Sequence, residues 1–96
     1  MTIWSLSPEA ADDLDRLADF LLGEWPLAAV STVDMVVDAL GILAQHPKIG
    51  RPVGQGLREL VISRGKSGYL ALYDYDEQSD MVLVLALRHQ REAGYC

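Results

Sequence analysis

The sequence predicts an α+β fold of order β-α-α-β-β-β. An N-terminal strand leads into an antiparallel two-helix hairpin, which packs on one face of an antiparallel sheet. Two features predict it. Apolar residues recur at intervals of three and four up to His46, then at intervals of two from Leu57. A Pro/Gly-rich stretch, PKIGRPVGQG, separates the two regimes. At 96 residues, half of them apolar, the chain suits one domain, residues 1–96, with a core of its own.

Thr2 to Leu6 reads as a short strand, which ends where Ser7 and Pro8 open a helix. Ser7 can accept a hydrogen bond from a free amide of the first turn, and Pro8 has no amide to lose at the first helical position. Glu9, Asp12 and Asp13 suit the positive end of the helix dipole. Ala11, Leu14, Leu17, Ala18 and Leu21 form one apolar face. Gly23 to Pro26 breaks this helix. A second pattern runs from about Leu27 through Val33, Val36, Val37, Leu40, Leu43 and Ala44 to His46, where Pro47 stops it. So short a break folds the two helices back as a hairpin, with Trp25 packing at the bend and Trp4 in the core.

Pro47 to Gly56 reads as an exposed loop. Three strands follow, Leu57–Ser63, Tyr69–Tyr75 and Met81–His89, joined by the turns RGKSG and DEQSD. Simple alternation in the last strand puts Met81, Leu83, Leu85 and Leu87 on one side and Val82, Val84 and Ala86 on the other, so both sides are apolar. In the strand before it, Leu70, Leu72 and Asp74 share one face, and Tyr69, Ala71, Tyr73 and Tyr75 the other. A two-helix hairpin blankets only one face of such a sheet. The second face is therefore expected to be covered by a bound partner, because monomers rarely expose large apolar patches.

Charge narrows the function classes. The chain carries a net −6; residues 1–46 hold Arg16 against eight carboxylates, whereas residues 47–96 hold seven cations against six carboxylates. This balance argues against a protein that grips a phosphate backbone, so no direct sequence-specific nucleic-acid binding is expected. The longest apolar run, Met81 to Leu87, is too short to span a membrane, and no signal-peptide pattern opens the chain, so a cytoplasmic location is expected. Cys96 alone forms neither an internal disulfide nor a metal cluster.

Five segments in this order, LSPEAADDLDRLADFLL, ILAQHPKIGRP, LRELVISRG, YLALYDYD and VLVLALRHQREAGY, resemble the RelE/ParE superfamily of bacterial type II toxins over nearly the whole chain. The resemblance implies the hairpin-on-sheet fold derived above and a cognate, ParD-like antitoxin as the cover, giving a hetero-oligomer. The superfamily divides by target. RelE-like members cut mRNA on the ribosome; ParE-like members bind DNA gyrase and trap its cleaved DNA complex. With Arg16 the single cation of its two helices, this sequence is more similar to the ParE branch, which implies no cofactor, no metal and no catalytic residue.

Candidate contact residues come from the second half. Lys48 and Arg51 sit on the Pro/Gly loop. Arg58, Arg64 and Lys66 bracket the first meander strand, with Arg58 and Arg64 on one side of it; they read either as a cationic rim for a partner or as the guard charges of an edge strand. Tyr69 and Tyr73 offer aromatic contact area. Arg88, His89 and Arg91 end the last strand, as a docking end or simply as a polar run. One alternative, a ribosome-dependent ribonuclease, would use Arg64, Arg88, His89 and Tyr95, with histidine as base and arginines holding phosphate; another is a chain that has lost toxicity and persists as a binding module. No Gly-rich phosphate cradle, Ser/His/Asp order or paired-carboxylate signature is present.

Overall fold

The computed structural model describes residues 2–24, 26–64 and 67–89. β1 (Ile3–Leu6) leads into α1 (Pro8–Glu24) and α2 (Pro26–Gly41), followed by a 3-10 turn (Ile42–Ala44), β2 (Arg51–Gly54), β3 (Leu57–Arg64), β4 (Ser67–Asp76) and β5 (Met81–His89). The sheet runs β1-β5-β4-β3-β2. It is antiparallel except at β1, whose place the sequence left open: β1 lies parallel to β5, from Ile3 opposite Met81 to Leu6 opposite Val84.

The strand β2 is a correction to the loop expected over residues 47–56. Its Pro and Gly residues disguise it, and a sheet edge tolerates them because Pro52 needs no ladder partner on its open side. Its pairing with β3 shifts between Pro52 and Gly54. The chain then turns through Gly54, Gln55 and Gly56, all at positive φ (102°, 56° and 76°), where glycine carries no steric penalty. β3 consequently lies inside the sheet from Leu57 to Glu59, so the edge-strand reading does not hold for Arg58, whereas from Leu60 to Arg64 β3 pairs with β4 alone.

A second correction concerns β5. Tyr73 stands opposite Val84 and Leu72 opposite Ala86, which leaves Leu85 as an extra residue in a β-bulge. The bulge resets the alternation, so Leu87 joins Val82 and Val84 on the helix-covered face while Met81 and Leu83 stay outside. Helix α1 supplies partners for the disrupted backbone. The Ser7 hydroxyl donates to the Leu85 carbonyl at 3.2 Å and accepts from the Ala10 amide at 3.0 Å, capping α1. Asp13 Oδ2 accepts from the Leu87 amide at 3.0 Å.

The core lies between hairpin and sheet. Ala10, Val36, Leu40 and Leu43 meet Ile62, Tyr69, Ala71, Tyr73, Val82, Val84 and Leu87. On the opposite sheet face Ile3 is 64% exposed, and Val61, Met81 and Leu83 are also exposed. Among the described residues, no helix is long and apolar enough to cross a membrane.

Candidate functional site

Residues 46–51 form a cationic segment with one Pro and one Gly, held by hydrogen bonds to Tyr73 and Arg58. The Tyr73 hydroxyl, fully buried under it, donates to the Pro47 carbonyl and accepts from the Gly50 amide, both at 2.8 Å. Burial raises the Tyr73 phenol above its ordinary pKa of 10.0, opposed by the Gly50 hydrogen bond and by Arg58. Arg58 reaches from β3 to the carbonyls of Gly50 at 2.8 Å and Lys48 at 3.1 Å. Gly50 sits so close to Tyr73 that an added Cβ would lie 2.7 Å from the ring and the hydroxyl oxygen. The segment thus presents Ile49, Lys48 and Arg51 outward. Lys48 forms an ion pair with Glu77, and Arg51 Nε donates to the buried Glu59 carboxylate at 3.0 Å.

Beside this segment, the N-terminus is tied to the β4–β5 turn. The Thr2 hydroxyl donates to Asp80 Oδ1 at 2.6 Å and the Tyr75 hydroxyl donates to the same oxygen at 2.8 Å. The hydrogen bond from Thr2, then that from Tyr75, holds the Asp80 carboxyl below its ordinary value of 3.8; the bond to Asp80 is the first cause that raises the Tyr75 phenol.

Of the residues of the ribonuclease alternative, Arg88 and His89 stand opposite the other end of β4, where the Arg64 backbone pairs with Ser67. Tyr69 and Tyr73 are four residues apart, about 13 Å at 3.3 Å per residue. His89 stands opposite Tyr69, edge-on to its ring at a centroid distance of 5.3 Å, whereas Arg88 stands opposite Leu70 on the other sheet face. One Arg88 nitrogen donates to the His89 carbonyl at 3.2 Å. Register therefore sends these two adjacent side chains in different directions. Among the described residues, no group of three or more His, Cys, Asp or Glu gathers as a metal site.

This architecture can be set beside known proteins. The family model described as "ParE toxin of type II toxin-antitoxin system, parDE" matches residues 5–94. The chain belongs to the ParE family. Toxin RelE3 of Caulobacter vibrioides is 37% identical over 87 residues, covering 91% of this chain and 92% of that protein. Two solved structures share the fold: the chromosomal ParDE system of P. aeruginosa (TM-score 0.74, 20% identity, 93% of this chain and 96% of that one) and the intact E. coli RelBE toxin-antitoxin complex (TM-score 0.68, 14% identity, 97% and 100%). The protein is thus a type II toxin of the RelE/ParE superfamily.

In this ParE-family toxin, the sequence-predicted contacts divide. Lys48, Arg51, Arg58 and Tyr73 come together around the 46–51 segment. Tyr69 and Tyr73 are corrected from surface contacts to core: their face is the one the hairpin covers. Arg58 serves the chain's own carbonyls. Trp25, Lys66, Arg91, Tyr95, Cys96 and the side chain of Arg64 lie outside the described residues. Sequence reasoning missed Asp13, Gly50, Glu59 and Asp80. Each acts through a partner at least eight positions away, and no local spacing signals that.

Proposed function

We propose that the toxin acts in the cytoplasm by binding DNA gyrase and trapping its cleaved DNA complex, and that a cognate ParD-like antitoxin neutralises it in a hetero-oligomeric complex. One observation carries this reading over a ribosome-dependent ribonuclease. Every cationic side chain described is engaged by an acceptor of the chain itself: Arg16 by Asp13, Lys48 by Glu77, Arg51 by Glu59, Arg58 by the Lys48 and Gly50 carbonyls, and Arg88 by the His89 carbonyl. A protein that grips mRNA needs cations turned toward phosphate, whereas a protein that occupies another protein's surface does not.

The exposed apolar row Ile3, Met81 and Leu83 on the uncovered sheet face supports the antitoxin part of the reading, because a partner that buries it removes a standing aggregation hazard. Purified toxin added to a gyrase DNA-cleavage assay, beside a translating extract probed for mRNA cuts, tests the target. Accumulated cleaved DNA with intact mRNA is expected. Cut mRNA with unaffected gyrase would replace the gyrase reading with the ribonuclease one, in which Arg64, Arg88, His89 and Tyr95 would act.

A further inference from the structure

The chain from Gln45 to Ile49 and the Tyr75 side chain of β4 flank an open groove of about 520 Å³, lined by Gln45, His46, Pro47, Lys48, Ile49 and Tyr75. Its volume falls within the range of binding clefts, about 300–1,000 Å³. Ile49 is 55% exposed there and has no apolar cover. Both walls are held by the chain itself. On one side the Ile49 amide donates to the His46 carbonyl at 3.1 Å and the His46 amide to the Ile42 carbonyl at 2.9 Å, while Tyr73 and Arg58 hold the Pro47, Lys48 and Gly50 backbone from beneath. On the other side the Tyr75 hydroxyl is held by Asp80. A surface whose walls are already in place loses little entropy when it is occupied.

Charge specifies the occupant. Residues 46–54 hold Lys48 and Arg51 and no carboxylate, in a chain of net −6. Arg51 is committed to the buried Glu59. Lys48 is not tied down in that way: its side chain is 58% exposed and that of Glu77 is 65% exposed, so the two form an ion pair in water, which is worth little and exchanges readily for another carboxylate. A run of phosphates would meet Asp76 and Glu77, both exposed beside the groove, and be repelled. One carboxylate next to an apolar side chain is instead the chemistry of a protein segment. The groove shares no lining residue with the exposed row Ile3, Met81 and Leu83 that the antitoxin reading covers.

We infer that this groove is where the toxin grips its target: it receives an exposed segment of gyrase that sets an apolar side chain against Ile49, Pro47 and the Tyr75 ring and a carboxylate on Lys48. The inference rests on the gyrase reading proposed above and names the surface and the partner chemistry which that reading leaves open.

The test titrates the intact toxin into the gyrase DNA-cleavage assay and, in parallel, measures by calorimetry its affinity for the small protein encoded in the reading frame beside its gene. Ile49→Asp and Lys48→Glu should each raise the toxin concentration for half-maximal cleaved DNA at least tenfold, and Lys48→Arg should restore most of the loss. Both positions are exposed, so thermal midpoints and antitoxin affinity should match the wild type; should one variant unfold, the other decides. If the wild type poisons gyrase and the folded variants poison it equally well, this inference fails and the gyrase reading stands. Variants that lose antitoxin affinity while keeping gyrase poisoning would assign the groove to the antitoxin and overturn it. If the wild type leaves gyrase unaffected, the gyrase reading itself falls, and this one with it.

Discussion

Replacing Tyr73 by Phe removes one oxygen from a fully buried position where that oxygen satisfies two backbone groups. The Pro47 carbonyl is only half-buried and regains water. Gly50 is buried, so its amide is left without a partner. An orphaned buried donor costs about 1–3 kcal/mol. At about 4–8 °C per kcal/mol for a domain of this size, the central value of about 2 kcal/mol lowers the thermal midpoint by about 12 °C. Tyr75→Phe is the matched control, because its hydroxyl serves a carboxylate that also receives the Thr2 hydroxyl, and its effect should be clearly smaller. Thermal unfolding by circular dichroism and amide exchange at Gly50 make the measurement. Equal midpoints for the two variants, with Gly50 still protected in Tyr73→Phe, would refute the view that this phenol anchors the 46–51 segment.

Gly50→Ala strains the same anchor from the other side: its Cβ would lie 2.9 Å from the Glu59 carbonyl oxygen as well as against Tyr73, and overpacking of this kind costs about 1–3 kcal/mol. The Asp80 carboxyl has a depressed pKa in the fold, so its contribution to stability is present above its ordinary value of 3.8 and is lost as the pH falls through its lower folded value. Asp80→Asn, tolerated at φ 54°, should therefore flatten the decline of the urea midpoint below about pH 4, and an unchanged decline would argue against the Thr2–Asp80–Tyr75 tie. Arg51→Met removes the cation beside the buried Glu59 carboxylate and should lower the midpoint more than Arg51→Met/Glu59→Gln does; the reverse order would show that the pair is not coupled.

The hairpin and the three long strands were legible because their signals are local. The Ser7–Pro8 start, the stop at Pro47 and the change of period each act within a few residues. The bulge at Leu85 was not legible, because a run of Val, Leu and Ala reads the same with or without an inserted residue. What fixes it is α1, whose Ser7 and Asp13 meet the freed carbonyl and amide from more than seventy positions away. The same limit hid the role of the tyrosines: period two put Tyr69, Ala71 and Tyr73 on one face, and only the docking of the hairpin decides that this face is the core. For the candidate site, composition located the cationic loop but could not reveal that its cations were already paired.

Among the described residues, two apolar surfaces lie on different sides of a layered body: an open groove between α1 and α2, lined by Ala18, Leu22, Ala29, Val30 and Val33, and the sheet face turned away from the hairpin, bearing Ile3, Met81 and Leu83. The molecule measures 42 × 27 × 26 Å, so one polypeptide that covered both would have to pass around a short dimension of 26 Å. At about 3.3 Å per extended residue, that passage takes roughly eight residues. A chain that engages both patches gains from effective concentration, since the second contact becomes intramolecular once the first has formed. Antitoxin fragments carrying only the segment for one patch should each bind measurably but far more weakly than the continuous chain. A fragment that alone matched the full affinity would show that only one of the two surfaces is an interface.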